Sequence, residues 1–225
     1  MVKPMFDADA LIAMFETASA RQGAQLKKAA SDATLAALHG RELSLKNIRG
    51  ALKQVAEAAS AGVAKNLTAG VDPEALLDKA VAGMDEAMLK AVEANRTALS
   101  TLMAQGADLR DKHLQKALDD LEKMEDSLFG AIKKAADGAG APMAGAWGPI
   151  LEKMQAGGSL SGAQASLTAE QMAQQMQTAV RSTRATSIKA AQALAESYTA
   201  MVSGVLIGMS EALQNGGAAK KPVKK

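Results

Sequence analysis

From Asp72 to Asp137 the chain repeats one helical pattern, and the length of that repeat restricts the fold more than any other feature. Asp72 is placed to cap a helix, Pro73 suits the first helical position, and Glu74 sits near the positive end of the dipole. One inward stripe follows: Leu77, Val81, Met84, Met88, Val92, Asn95, Leu99, Leu102, Gly106, Leu109, His113, Ala117, Leu121, Met124, Leu128, Ile132 and Ala135. Fourteen of these seventeen positions are apolar, and the mean step is 3.6 residues, the period of a straight α-helix. Glu86–Lys90, Asp108–Lys112 and Asp119–Lys123 add acid-first pairs on the outer side. Read as a single helix, some 64 residues reach about 95 Å. A stripe that long cannot bury itself, so the spacing predicts partner helices.

The rest of the chain supplies them. Asp7 is a candidate cap for a helix reaching about Leu38, with Leu11, Phe15, Ala18, Leu26, Ala29 and Ala33 near one side. His39-Gly40-Arg41-Glu42 reads as a turn. Ser44 starts a second helix to about Ala69, with the seam Leu45, Ile48, Leu52, Val55, Ala59, Gly62 and Asn66, and the short connection predicts a hairpin. Residues 138–167 hold Gly138, Gly140, Pro142, Gly145, Gly148, Pro149, Gly157, Gly158 and Gly162, and read as a flexible linker with one helical turn at Ile150–Met154. Thr168 and Gln171 fit a capping box that opens a last amphipathic helix over 168–217. Residues 218–225 read as a basic disordered tail. The expected fold is all-α: an elongated antiparallel bundle or coiled coil of about four helices, one very long. The units are a hairpin plus central helix (1–137), the linker, the last helix and the tail.

Composition narrows the chemistry. The chain is 48% hydrophobic but only 2% aromatic, with 13 Met and no Cys, and its net charge is +2. An Ala-rich core buries little area per residue, which favours association. Without cysteine there is no disulfide, thiolate catalysis or Cys-based zinc site. Neither His39 nor His113 has a Glu three residues before it, and no H-E-x-x-H, phosphate loop or catalytic triad is spaced convincingly. The expectation is a protein without catalytic residues, metal or cofactor. Asp7, Asp9 and Glu16 interrupt any signal-like run, and no apolar stretch is long enough to span a bilayer, so the expected location is cytoplasmic.

Candidate contact residues are few. Trp147, between Gly145 and Pro149, reads either as a foot for an apolar surface or as a plug at the end of the bundle. Val205 and Leu206 lie in the most apolar stretch, Val202–Met209. Lys220, Lys221, Lys224 and Lys225 offer a weak, sequence-blind contact to nucleic acid.

The segment Leu11–Phe15, the Asp72-Pro73-Glu74-Ala75-Leu76-Leu77 helix start, the long amphipathic helix behind it and the Lys/Pro/Ala tail together resemble the phasins. Those proteins coat polyhydroxyalkanoate granules in bacteria. The resemblance implies a non-catalytic, oligomeric coat on a hydrophobic granule or lipid-like surface; on that reading the apolar residues Leu11, Phe15, Trp147, Val205 and Leu206 are the candidate first contacts. The alternative is a coiled-coil module that organises other proteins.

Overall fold

The computed structural model describes residues 7–20, 23–38, 45–67, 71–104, 116, 118–120, 123–182, 197–198, 201–204 and 206. Seven helices are described: α1 (Ala8–Ala20), α2 (Gly23–Leu38), α3 (Leu45–Ala64), α4 (Pro73–Ala104), α5 (Met124–Asp137), α6 (Ala141–Gly157) and α7 (Leu160–Ser182). No strand occurs among the described residues. The fold is all-α, a bundle of helices around one continuous apolar core that runs from Phe15 to Leu206.

α4 is the central element. Its start matches the sequence signal: Asp72 Oδ1 accepts the backbone N–H groups of Glu74 at 3.0 Å and Ala75 at 3.4 Å. The stripe from Leu77 to Leu102 is buried, Asn95 included. Ala80, Ala87, Ala91, Ala94 and Ala98 are buried as well, because α2 lies against α4 on one side while α3, α6 and α7 pack elsewhere on it. Two glycines mark close helix approaches. A Cβ on Gly83 would sit 2.1 Å from the Lys27 carbonyl oxygen, and one on Gly62 would sit 2.6 Å from Phe15 Cβ. α1 seats on α3 there, and Asn66 Nδ2 donates to the Glu16 carbonyl and to Ser19 Oγ, both at 2.6 Å. Glu86 staples α2 to α4, 3.0 Å from both Lys27 and Lys90.

The single long helix is not what forms. Asp85 and Glu125 would stand about 60 Å apart on one straight helix, yet both meet the start of α7. The chain therefore reverses between α4 and α5. The period remains as read, with Met124, Leu128, Ile132 and Ala135 buried, but two shorter helices present it to one core. Gly106 and His113, where the stripe is interrupted, lie outside the described residues.

The linker is also corrected. Most of residues 138–167 are helical, as α6 and the first turns of α7. Pro142 stands in the first turn of α6, where its missing N–H costs nothing. Pro149 is inside the helix, a defect of about 3 kcal/mol. It is offset because Met143, Trp147 and Ile150 are all buried on one face, each worth roughly 1.5–3 kcal/mol. A Cβ on Gly145 or Gly148 would meet nothing within 4 Å, so these glycines lie on the side that packing does not use. The capping box at Thr168 does not form: Thr168 is internal to α7 and buried, with its Oγ1 unpartnered.

Near the far end, Val202 and Leu206 are buried in the same core, and Tyr198 packs partly against it. Burial, with the Asp120 carboxylate as a second cause, raises the Tyr198 phenol above its ordinary value. The segment 218–225 lies outside the described residues.

Candidate functional site

α6 and α7 meet at Gly157-Gly158-Ser159, and this joint organises the most distinctive site of the molecule. Gly158 takes a φ of +67°, which a side chain rarely adopts, and turns the chain out of α6. α7 begins at once, so four backbone N–H groups need acceptors. Ser159 Oγ accepts from Gly162 N at 3.0 Å, as an ordinary N-cap does. The others are served from distant helices. Asp85 of α4 accepts Leu160 N–H at 2.9 Å and Ser161 N–H at 3.0 Å, one on each carboxylate oxygen. Glu125 of α5 accepts Ser159 N–H at 2.8 Å. In a local capping box a glutamate three residues on returns to the N-cap N–H; here a residue 34 positions away does so. Gly162 makes room for it, since a Cβ there would fall 2.5 Å from Glu125 Cδ. The negative charges also lie at the favourable end of the α7 dipole.

An apolar cleft of about 350 Å³ opens beside this joint. α4 contributes Val81, Ala82 and Asp85, α5 contributes Leu128, and α6 contributes Ile150 and Met154. Leu160 and Ala163 of α7 form one lip. At the rim, Lys153 Nζ lies 2.7 Å from Asp78 Oδ1. Elsewhere on α6, Trp147 is 1% exposed and its Nε1 donates to Ser60 Oγ at 3.3 Å, which ties α6 to α3.

α7 leaves two large apolar side chains exposed. Ser161, Ala165, Thr168 and Ala169 face the core, whereas Leu160 is 71% exposed and Leu167 is 53% exposed. The two leucines are seven residues apart, about 10 Å along one side of the helix.

The sequence-derived contact residues are not brought together. Phe15, Trp147 and Leu206 lie in the core and are unavailable for first contact in this packing, and Leu11 is partly buried against it. Trp147 is buried and hydrogen-bonded to Ser60, so it does not project as a foot in this packing. Val205 and Lys220, Lys221, Lys224 and Lys225 lie outside the described residues. Asp85, Glu125, Leu160 and Leu167 were not singled out by the sequence reading. The Leu160-to-Leu167 spacing was visible, but it was hidden inside a segment read as a linker.

Among the described residues no three His, Cys, Asp or Glu side chains gather as a metal site. No helix among them is long and apolar enough to cross a membrane. Residues 1–215 match the family of unknown function DUF6781. The chain belongs to that family. No curated protein and no solved structure matches it.

Proposed function

We propose that this DUF6781 member is a non-catalytic amphipathic helical protein that coats a hydrophobic granule or lipid-like surface in the cytoplasm, as its resemblance to phasins implies. The observation that carries the reading is the pair of exposed leucines on one side of α7. A helix that keeps Ser161 and Thr168 inside and Leu160 and Leu167 outside gains by laying its outer side on something apolar. Leu160 and Leu167 therefore replace Phe15, Trp147 and Leu206 as the first contacts. Adsorption then spreads as core residues exchange one apolar neighbour for another. The core favours this exchange, since much of it is Ala and each buried Ala forfeits little area on opening.

A flotation assay with polyhydroxyalkanoate granules tests the reading at low salt. Wild type is expected in the granule layer and Leu160→Ser/Leu167→Ser in the soluble fraction. Wild type that stays soluble counts against the coat. The heptad spacing of the two leucines favours one second reading, a coiled-coil module whose partner is another helix. In that case sedimentation shows an oligomer that the double serine variant loses, and granules leave its size unchanged.

A further inference from the structure

We infer that the N-terminal half of α7, residues 160–171, is a hinged latch: it lifts from α4 and α5 about Gly157-Gly158 while the rest of the bundle stays folded. The latch belongs to the free protein in solution. It stands without the coat reading, which needs only that Leu160 and Leu167 face outward.

The joint is free to turn. A Cβ on Gly157 would meet nothing within 4 Å, and Gly158 has no side chain to resist rotation from its φ of +67°. The inner side of the helix holds little. Over residues 160–171 its buried residues are Ser161, Gly162, Ala165, Thr168 and Ala169, and of these only Ala165 joins the apolar core. α6, by contrast, commits Met143, Trp147 and Ile150 to that core. Apolar stabilisation scales with area, so α7 costs less to lift than α6. Thr168 Oγ1 is buried without a hydrogen-bond partner, and lifting returns it to water, a gain that works toward opening. The closure is polar and sits at one end. Asp85 Oδ2 and Oδ1 hold the amides of Leu160 and Ser161, and Glu125 Oε1 holds that of Ser159. All three bonds break together when residues 159–161 leave, so the closed state turns on two side chains. Ser159 Oγ keeps its bond to Gly162 N, which leaves the moving helix capped. Opening uncovers Val81 and Leu128, which line the cleft that Leu160 and Ala163 border.

The chain has no cysteine, so one introduced thiol reports one place. Thr168→Cys puts it on the inner side of α7, while Ala146→Cys in α6 and Ala59→Cys in α3 are buried references. Each folded, full-length variant is labelled with a small disulfide reagent in native buffer, with no granules or vesicles. Thr168→Cys is expected to react at least about tenfold faster than either reference. Adding Asp85→Ala should speed it about tenfold again and leave the references unchanged. Gly162→Ala separates a latch from a helix that frays for want of propensity. Ala is the better helix former, yet its Cβ would fall 2.6 Å from Glu125 Cβ and 2.5 Å from Glu125 Cδ, and push the carboxylate off Ser159. That change loosens a latch and tightens a fraying helix. Hydrogen exchange of the unsubstituted protein is the second measurement: residues 163–171 should exchange together, and faster than α6 or α3. The inference is overturned if Thr168→Cys reacts no faster than the references, or if Asp85→Ala speeds all three alike or none. It is equally overturned if Gly162→Ala fails to speed the reaction, or if residues 163–171 exchange no faster than α6. Flotation needs a surface and these measurements use none, so latch and coat fail separately.

Discussion

At single positions, the same substitution carries opposite signs according to what a new methyl group meets. Gly145→Ala adds a Cβ to open space in α6 and should stabilise by about 0.5–1 kcal/mol through helix propensity alone. Gly83→Ala drives a Cβ to 2.1 Å from the Lys27 carbonyl, which is backbone and cannot turn aside. α2 and α4 must part, at a cost on the order of 1–3 kcal/mol. Denaturant midpoints of the two variants on either side of wild type would confirm the packing; a stabilised Gly83→Ala would refute the α2–α4 contact. The sequence does not show what a side chain at either glycine would meet, because only the neighbour in space decides. Apolar side chains were far more legible. Leu77, Met84, Met88, Leu99, Ile48, Leu52 and Val55 are buried where their spacing placed them, since periodicity records which side of a helix is wet and needs no knowledge of the partner.

Elements were legible where their ends carry local signals and illegible where those ends are served from elsewhere. Asp72 caps α4 through its own neighbours, so its start could be read. The start of α7 could not, because its acceptors, Asp85 and Glu125, are far away in sequence. Removing them gives a direct prediction. Glu125→Ala should cost about 1–2 kcal/mol, and Asp85→Ala, which orphans two buried-end amides, at least as much. The loss should be local: hydrogen exchange at residues 159–162 should quicken roughly tenfold per 1.4 kcal/mol, with α3 unaffected. Uniform quickening throughout the bundle would show that these carboxylates do not act as caps. A second element-level prediction concerns acid. The hydrogen bonds from Lys90 and then Lys27 hold Glu86 below its ordinary carboxylate value of 4.5. A lowered value means that the folded state favours the charged form. The α2–α4 staple thus contributes above pH 4.5 and is lost as pH falls below it. Both lysine partners are partly solvated, so the contribution is small, about 0.5 kcal/mol after screening. Glu86→Gln should be less stable than wild type near neutrality, and the two melting curves should converge in acid. A gap that persists unchanged in acid would remove Glu86 from the account.

For the whole molecule the question is whether the chain has one core or two parts joined by a spacer. Glycine and proline counts in 138–167 argue for a spacer, and they mislead because each acts through its position. Pro142 sits where a helix tolerates it, Gly145 and Gly148 lie away from the packing, and Gly158 makes a turn. The side chains between them, Met143, Trp147 and Ile150, join a core that already contains residues from α1 to α5 and extends to Leu206. Unfolding should then be a single event. Trp147 fluorescence reports α6, whereas circular dichroism reports all helices, and with one core the two transitions coincide. Trp147→Ala removes the largest buried side chain and should cost about 3–5 kcal/mol. Because the core is shared, that loss should lower the midpoint of the entire helical signal in one step. Should Trp147 fluorescence melt apart from the helices, or Trp147→Ala leave most of the helical transition in place, α6 would be an appendage and the thin, continuous core described here would be wrong.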